Sequence, residues 1–230
     1  MSNAFIIGRG TVVTVAPLEP GVRAEIPEQT ITVGATAAAV AATTITVAAL
    51  DEPLAASAEN PVFLAFEDAV DGSDRFVVVT APADAGDTTL TVAPLKRAIA
   101  PASTAIFPVK LQARTSADIA TSTTDTTSTT FDSEGFADGV VTGAGYTISC
   151  GGNLLQLDAG YRTCLHAFQN FREIQVRIQL PSPGAGYTKG YVYTGVAAVT
   201  DIPTTTPSDG LITNPIALVV RGNMRVLEPV

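Results

Sequence analysis

The phrase Thr43-Thr44-Ile45-Thr46-Val47-Ala48-Ala49-Leu50 returns 45 residues later as Thr88-Thr89-Leu90-Thr91-Val92-Ala93-Pro94-Leu95. A shorter form, Thr14-Val15-Ala16-Pro17-Leu18, stands near the start. The tails of the long copies also answer each other, Leu54-Ala55 to Ile99-Ala100 and Val62-Phe63 to Ile106-Phe107, the latter with the spacing shortened by one. Each copy alternates apolar and polar side chains, turns at Pro and Ala, and alternates again, which is the pattern of strand, turn and strand. Nothing in the phrase can accept a proton or attack a carbonyl, so the repeat is a building unit and not a reactive one.

The period-2 segments predict six short strands in residues 30–109: Thr30–Val33, Thr43–Val47, Val62–Phe66, Arg75–Thr80, Thr88–Val92 and Thr104–Phe107. Turns fall at Gly34, Pro53, Asp71-Gly72, Pro82, Gly86 and Pro101, and short strands at this spacing predict a small β-rich repeat domain, a barrel or sandwich. Ala35 to Ala42 has the composition of a helix, but its Thr and β-branched flanks favour strand-turn-strand. Residues 1–29 are expected to supply an N-terminal strand and arm, with Phe5-Ile6-Ile7 and Thr11–Val15 strand-like.

Residues 110–230 change character. Strands are expected at Tyr146–Cys150, Ile174–Leu180, Lys189–Val199, Ile216–Val220 and Asn223–Leu227. Asp158 has the position of an N-cap for a single helix over Ala159–Asn170, with Tyr161, Cys164, Leu165 and Phe168 forming its core face. The fold class is therefore all-β, an antiparallel sandwich or barrel with one flanking helix. Between the two regions, Thr115 to Thr130 is almost entirely Thr, Ser, Asp and Ala. Such a run buries little apolar surface and is expected to be an exposed loop. Its length exceeds that of a passive connection, so it either orders against a neighbouring subunit or stays disordered.

Composition narrows the function classes. Only 15% of the 230 residues are charged and 46% are hydrophobic, against roughly 25% charged in an ordinary soluble domain. A Thr/Ala/Val-rich surface with few charges repels copies of itself weakly and suits an assembled protein. The net charge of −9 is concentrated in residues 1–130, and no Lys/Arg run could neutralise a row of phosphates. No basic segment followed by an apolar one opens the chain, so no secretory signal is expected. The most apolar window, Ile31 to Leu50, is interrupted by threonines and a glycine and lacks the large side chains of a membrane span.

The chemistry-bearing residues form no constellation. His166 is the single histidine, and two positions apart on a helix it points about 200° away from Cys164, so the pair is not a ligand set. Cys150 and Cys164 are either two buried thiols or one bridge. Asp68, Asp71 and Asp74 lack the pattern of a calcium loop and are better explained as a solvated hairpin tip than as a weak ion site. Gly184-Ala185-Gly186 lies between strands and is a turn. There is no Gly-x-Ser-x-Gly elbow and no phosphate loop. No catalytic, metal or cofactor residues are assigned, and no enzymatic activity is expected. Tyr187, Tyr191 and Tyr193 cluster, but they fit strand packing as well as ligand contact.

The C-terminal half nevertheless has a recognisable order. Phe136-Ala137-Asp138-Gly139 leads into Tyr146–Cys150. After the helix come Ile174-Gln175-Val176-Arg177-Ile178, then Gly186-Tyr187-Thr188-Lys189-Gly190-Tyr191-Val192-Tyr193-Thr194-Gly195-Val196. Ser208-Asp209-Gly210-Leu211-Ile212 and Ile216–Gly222 close the series. Over roughly residues 110–230 this resembles the tail tube (major tail) proteins of long-tailed bacteriophages. The resemblance implies a structural virion protein, made in the host cytoplasm, whose hexameric rings stack into a tube. Its partners would be its own copies, other tail proteins and DNA passing without sequence-specific binding, with no membrane involved. It further implies that Thr115, Asp118, Thr123, Asp125 and Thr130 belong to a loop or hairpin reaching the adjacent ring, and that residues 30–109 are an inserted or appended domain. Two other functions are open: a capsid decoration or head–tail joining protein, and a carbohydrate- or cell-surface-binding β module.

Overall fold

The computed structural model describes residues 10–67, 74–128, 138–184 and 186–230. Two bodies of sheet are joined by one helix. The first half supplies β1 (Val12–Pro17), β2 (Gln29–Thr32), β3 (Thr44–Thr46), β4 (Val62–Glu67), β5 (Asp74–Val79), β6 (Thr89–Thr91), β7 (Thr104–Phe107) and β8 (Val109–Lys110). The second supplies β9 (Asp118–Ser128), β10 (Asp138–Cys150), α1 (Ala159–Gln169), β11 (Glu173–Gln179), β12 (Val192–Asp201), β13 (Ile216–Val220) and β14 (Arg225–Leu227). Every ladder is antiparallel.

The large sheet runs β8-β1-β11-β12-β13-β10-β9, with β14 added on β12. Among the described residues its ends, β8 and β9, are open edges, so the sheet is open and not a closed barrel. Its centre follows from sequence: Ile174, Val176 and Ile178 on β11, Ile216 and Leu218 on β13, and Ile148 and Cys150 on β10 alternate inward and are buried. The arm between β1 and β2 lies along β11, held by the buried side chain of Gln175. Its Oε1 accepts from Ile26 N at 2.6 Å and its Nε2 donates to Ile26 O at 3.4 Å, an amide standing in for a strand partner.

The repeat explains the other body. Among the described residues, strands β2 to β7 pair only with one another, as a sheet β2-β7-β4-β5 and a two-stranded ladder β3-β6. The two copies of the repeated phrase are each other's partners, with Ile45 opposite Leu90 and Thr44 opposite Thr91. The bonds around them come in pairs that interchange when 45 is added to one residue and subtracted from the other. Ala38 bridges Ile99 and Leu54 bridges Ala83. Ala41 N donates to Leu95 O and Gly86 N to Leu50 O, both at 2.8 Å; Val92 N donates to Thr43 O and Val47 N to Thr88 O, both at 2.9 Å. The half-domains are thus interleaved about a local two-fold axis, and neither copy closes on itself. Ala35 to Ala42 forms no helix, because its backbone is spent on this exchange.

Three expectations are corrected. Thr115 to Thr130 is not a loop over most of its length: Asp118–Ser128 is an eleven-residue strand. Its backbone donors and acceptors are taken by β10, from Ser149 opposite Asp118 to Asp138 opposite Ser128. In the repeat, the residue that corresponds to Phe107 is Phe66 and not Phe63. Phe66 sits opposite Arg75 as Phe107 sits opposite Gln29, and both rings are fully buried. On the helix, Phe168 is 40% exposed, and the buried face is the small-residue face of Ala159, Gly160, Thr163, Cys164 and Ala167. The cause is close approach: a Cβ at Gly160 would stand 2.7 Å from the Lys110 carbonyl oxygen, so β8 passes directly over the first turn.

The helix boundaries agree with the cap. Asp158 Oδ1 accepts from Gly160 N at 3.2 Å and Oδ2 from Tyr161 N at 3.0 Å, satisfying two of the N–H groups that a helix start leaves open. From there α1 packs on β1 and β12 of the large sheet and on β4 of the repeat body, with the His166 ring 6.0 Å from that of Phe63. One contiguous core runs through both bodies, from Val13 to Met224. Phe5-Ile6-Ile7, Asp68, Asp71-Gly72, Thr130, Phe136-Ala137 and Ala185 lie outside the described residues.

Candidate assembly surface

The long strands β9 and β10 form a ribbon that leaves the body of the protein. β10 pairs with β13 only over Thr147–Cys150. From Asp138 to Tyr146 its one partner among the described residues is β9, so a two-stranded ribbon extends for about 30 Å at ordinary strand rise. Its register slips once, with Thr142 bulged between the Val141 and Gly143 pairs, which adds local twist. Among the described residues, the outer edge of β9 has no partner strand. Ile119 is half-buried, and Ala120, Thr121, Ser122 and Thr123 beyond it are all exposed.

Of the residues expected to reach a neighbour, Thr115 is exposed just before β9, its N donating to Gly151 O at 2.8 Å. Asp118 opens the strand and Thr123 lies opposite Ala144, both exposed. Asp125 lies further out, opposite Val141. Thr130 lies outside the described residues. Four of the five therefore lie on one connector and strand, in order from the base of the ribbon outward.

The base is clamped by a residue that the sequence did not single out. Arg114 donates through Nε to Gln112 O at 3.0 Å, through Nη1 to Asn214 O at 2.6 Å and through Nη2 to Asn153 O at 2.9 Å. One planar guanidinium thus ties the connector into β9, the segment after β10 and the turn before β13. Asn214, fully buried, continues the clamp: its N donates to Gly152 O at 2.8 Å and its Nδ2 to Thr204 Oγ1 at 2.9 Å. Asp158 adds a third tie, since Oδ2 also accepts from Gln112 N at 3.1 Å. Burial pushes the Asp158 carboxyl above the usual carboxylate range, opposed by these N–H donors and by Arg114. A broad cleft of about 870 Å³ opens beside this clamp, with Thr11, Lys110, Gln112, Arg114 and Asp118 on its walls. The only sequence signal for the clamp was position, an arginine at the foot of a Thr/Ser-rich run whose only charges are Asp118 and Asp125.

The remaining polar groups are structural. Cys150 and Cys164 are free and buried. Burial pushes the Cys150 thiol up to about 11 and the Cys164 thiol higher still, which keeps both protonated and unreactive. Burial and the Arg172 charge hold His166 below its ordinary value, so it is neutral at pH 7. Tyr191 and Tyr193 point to the face of β12 opposite the buried Val192 and Thr194. Among the described residues, no group of three His, Cys, Asp or Glu is placed to hold a metal ion, and no helix is long and apolar enough to cross a membrane.

No family model and no curated protein matches the chain. Solved structures similar to part of it include the following two. One is described as the tail of an empty GTA particle computed with helical refinement, C6 symmetry; it is 14% identical, with a TM-score of 0.43, over 51% of this chain and 84% of that one. The other is described as the virion of a native gene transfer agent particle; it is also 14% identical, with a TM-score of 0.42, over 51% of this chain and 87% of that one.

Proposed function

We propose that this chain is a structural virion protein that assembles into stacked hexameric rings, forming the tail tube through which phage DNA passes. The observation that carries the reading is the β9–β10 ribbon. A two-stranded ribbon without further strands is marginal in water, and an unpaired edge of this length is a template for pairing. Its Thr, Ser and Asp side chains keep it soluble until a specific partner covers it. The resemblance of residues 110–230 to tail tube proteins, noted from sequence, supplies the ring number, the stacking and the DNA. A net charge of −9 agrees with a surface that lets a polyanion pass without holding it.

In this reading residues 30–109 are a separate unit on the outside of the tube. Bulk added to the bore by every subunit would obstruct the DNA, whereas bulk outside does not. Negative-stain microscopy of the purified full chain at high concentration tests the function, with long stacked-ring tubes as the expected result. A chain that stays monomeric, or that closes single rings which never stack, overturns it. Replacing residues 123–144 by Asn-Gly, directly above the Ser122–Gly145 pair, should leave a folded monomer that makes no tubes.

A further inference from the structure

The C-terminal end of α1 is built against its own interest. Asn170 is the C-cap, Phe171 N donates to Phe168 O at 3.5 Å and Arg172 N to Ala167 O at 2.9 Å. This is the paired-bond helix ending that places the residue after the cap in the left-handed region, where glycine is strongly preferred. The residue there is Phe171, with φ +52°, and its side chain is 95% exposed. A bulky side chain in that backbone region is strained, and a fully wetted aromatic ring gains nothing by burial. Two unfavourable features at one residue mark it as kept for something outside the monomer.

The same chain carries a cavity that suits the ring. It has a volume of about 230 Å³, with buried Pro17, Val62 and Phe107 in its floor and exposed Pro53 at its wall. A benzene ring is held by an apolar cavity of about 150 Å³. Two carboxylates line it as well, Glu25, which also pairs with Arg225 at 3.2 Å, and Glu52. Next to the knob stands Arg172, whose Nε is buried without a hydrogen-bond partner among the described residues and whose ion pair to the exposed Glu59 is long at 3.8 Å. An aromatic ring followed by an under-used cation therefore complements an apolar hole that carboxylates also line.

We infer that Phe171 of one copy inserts into the Pro17/Pro53/Val62/Phe107 cavity of a second copy, with Arg172 facing its carboxylates. This rests on the reading of the chain as a self-assembling subunit and names one of its contacts, distinct from the ribbon. A ring buried centrally in such a pocket is the usual form of an interface hot spot.

The test uses the full chain. F171G removes the knob and relieves the backbone, so the monomer's unfolding temperature should rise by about 2–4 °C. Self-association, followed by sedimentation, should weaken about thirtyfold or more. A residue that only shaped the helix end would not move the two readouts in opposite directions. In parallel, chains carrying F171C and A55C are mixed under mild oxidation, with the native thiols buried and silent. A disulfide-linked dimer in the mixture, absent from either variant alone, is expected. Tubes and association unchanged in F171G would overturn the contact and leave the tube reading intact. Cross-linking without tubes from the native chain would uphold the contact and overturn the tube. Failure to cross-link in the mixture, with F171G associating normally, overturns the contact whatever the microscopy shows.

Discussion

Ala41 and Gly86 occupy equivalent places in the two repeat copies, and both have positive φ, +65° and +90°. Both are exposed, and a Cβ at Gly86 would meet nothing within 4 Å, so the pair isolates the backbone cost of a side chain in that conformation. G86A should lose about 1 kcal/mol, and A41G should gain about 0.5 kcal/mol once the added freedom of the unfolded chain is counted; chemical denaturation of both variants measures it. Asp158 makes a pH prediction. Its folded-state value is raised, so between the unfolded and folded values the folded chain binds more protons, and stability falls as pH rises. Compared with D158N, which does not titrate, the native chain should hold its largest advantage below about pH 3.9. It should lose that advantage as pH rises through the folded value. A difference that grows with pH would mean that the three N–H donors outweigh burial. D158A, which abandons all three donors, should cost about 1–2 kcal/mol in thermal unfolding.

At the level of elements, the strands that read clearly from sequence are those with one wet and one dry face. β4, β11 and β13 alternate because one side meets the core, and α1 was placed by its cap at Asp158. β9 escaped because the ribbon has water on both sides: Thr121, Ser122 and Thr123 need no apolar period, so the segment looks like a loop. The face of α1 was misjudged for the opposite reason. Size of side chain pointed to Phe168, whereas the close pass of β8 selects Gly160, Thr163 and Ala167. The repeat was plain in the sequence, but the partnership of its copies was not, because similarity between two segments says nothing about which strand each one pairs with. Of the candidate surface, Thr115 to Asp125 was legible as a place and not as a shape. The Arg114 clamp and Phe171 had no pattern to give them away. The ribbon makes a prediction of its own. In the monomer, amides of residues 120–128 and 138–145 should exchange with solvent far faster than those of Thr147–Cys150, which also pair with β13. In assembled material they should become protected. Equal protection in both states would remove the ribbon from the interface.

For the whole molecule, the continuous core from Val13 to Met224 means that the two bodies fold as one cooperative unit through α1. A single calorimetric transition is expected, and two separable transitions would show that the helix does not couple them. The repeat body enters at Gln29 and leaves at Phe107, and these two residues are direct partners across neighbouring strands. Entry and exit are therefore one strand spacing apart, about 5 Å, so the body hangs from the rest of the chain like a drawer on a single pair of rails. A cut that keeps β8 in the large sheet removes residues 30–106 and rejoins Gln29 to Phe107 through a short turn. It leaves Phe63's place beside α1 empty. The surviving chain should still fold, with a lowered unfolding temperature, and electron microscopy should show thinner, continuous tubes. Loss of tubes from a folded remainder would mean that the repeat body lies between rings. The same two rails would accept any other compact domain whose ends meet, which makes this position the natural port for carrying a foreign module on every subunit of an assembly.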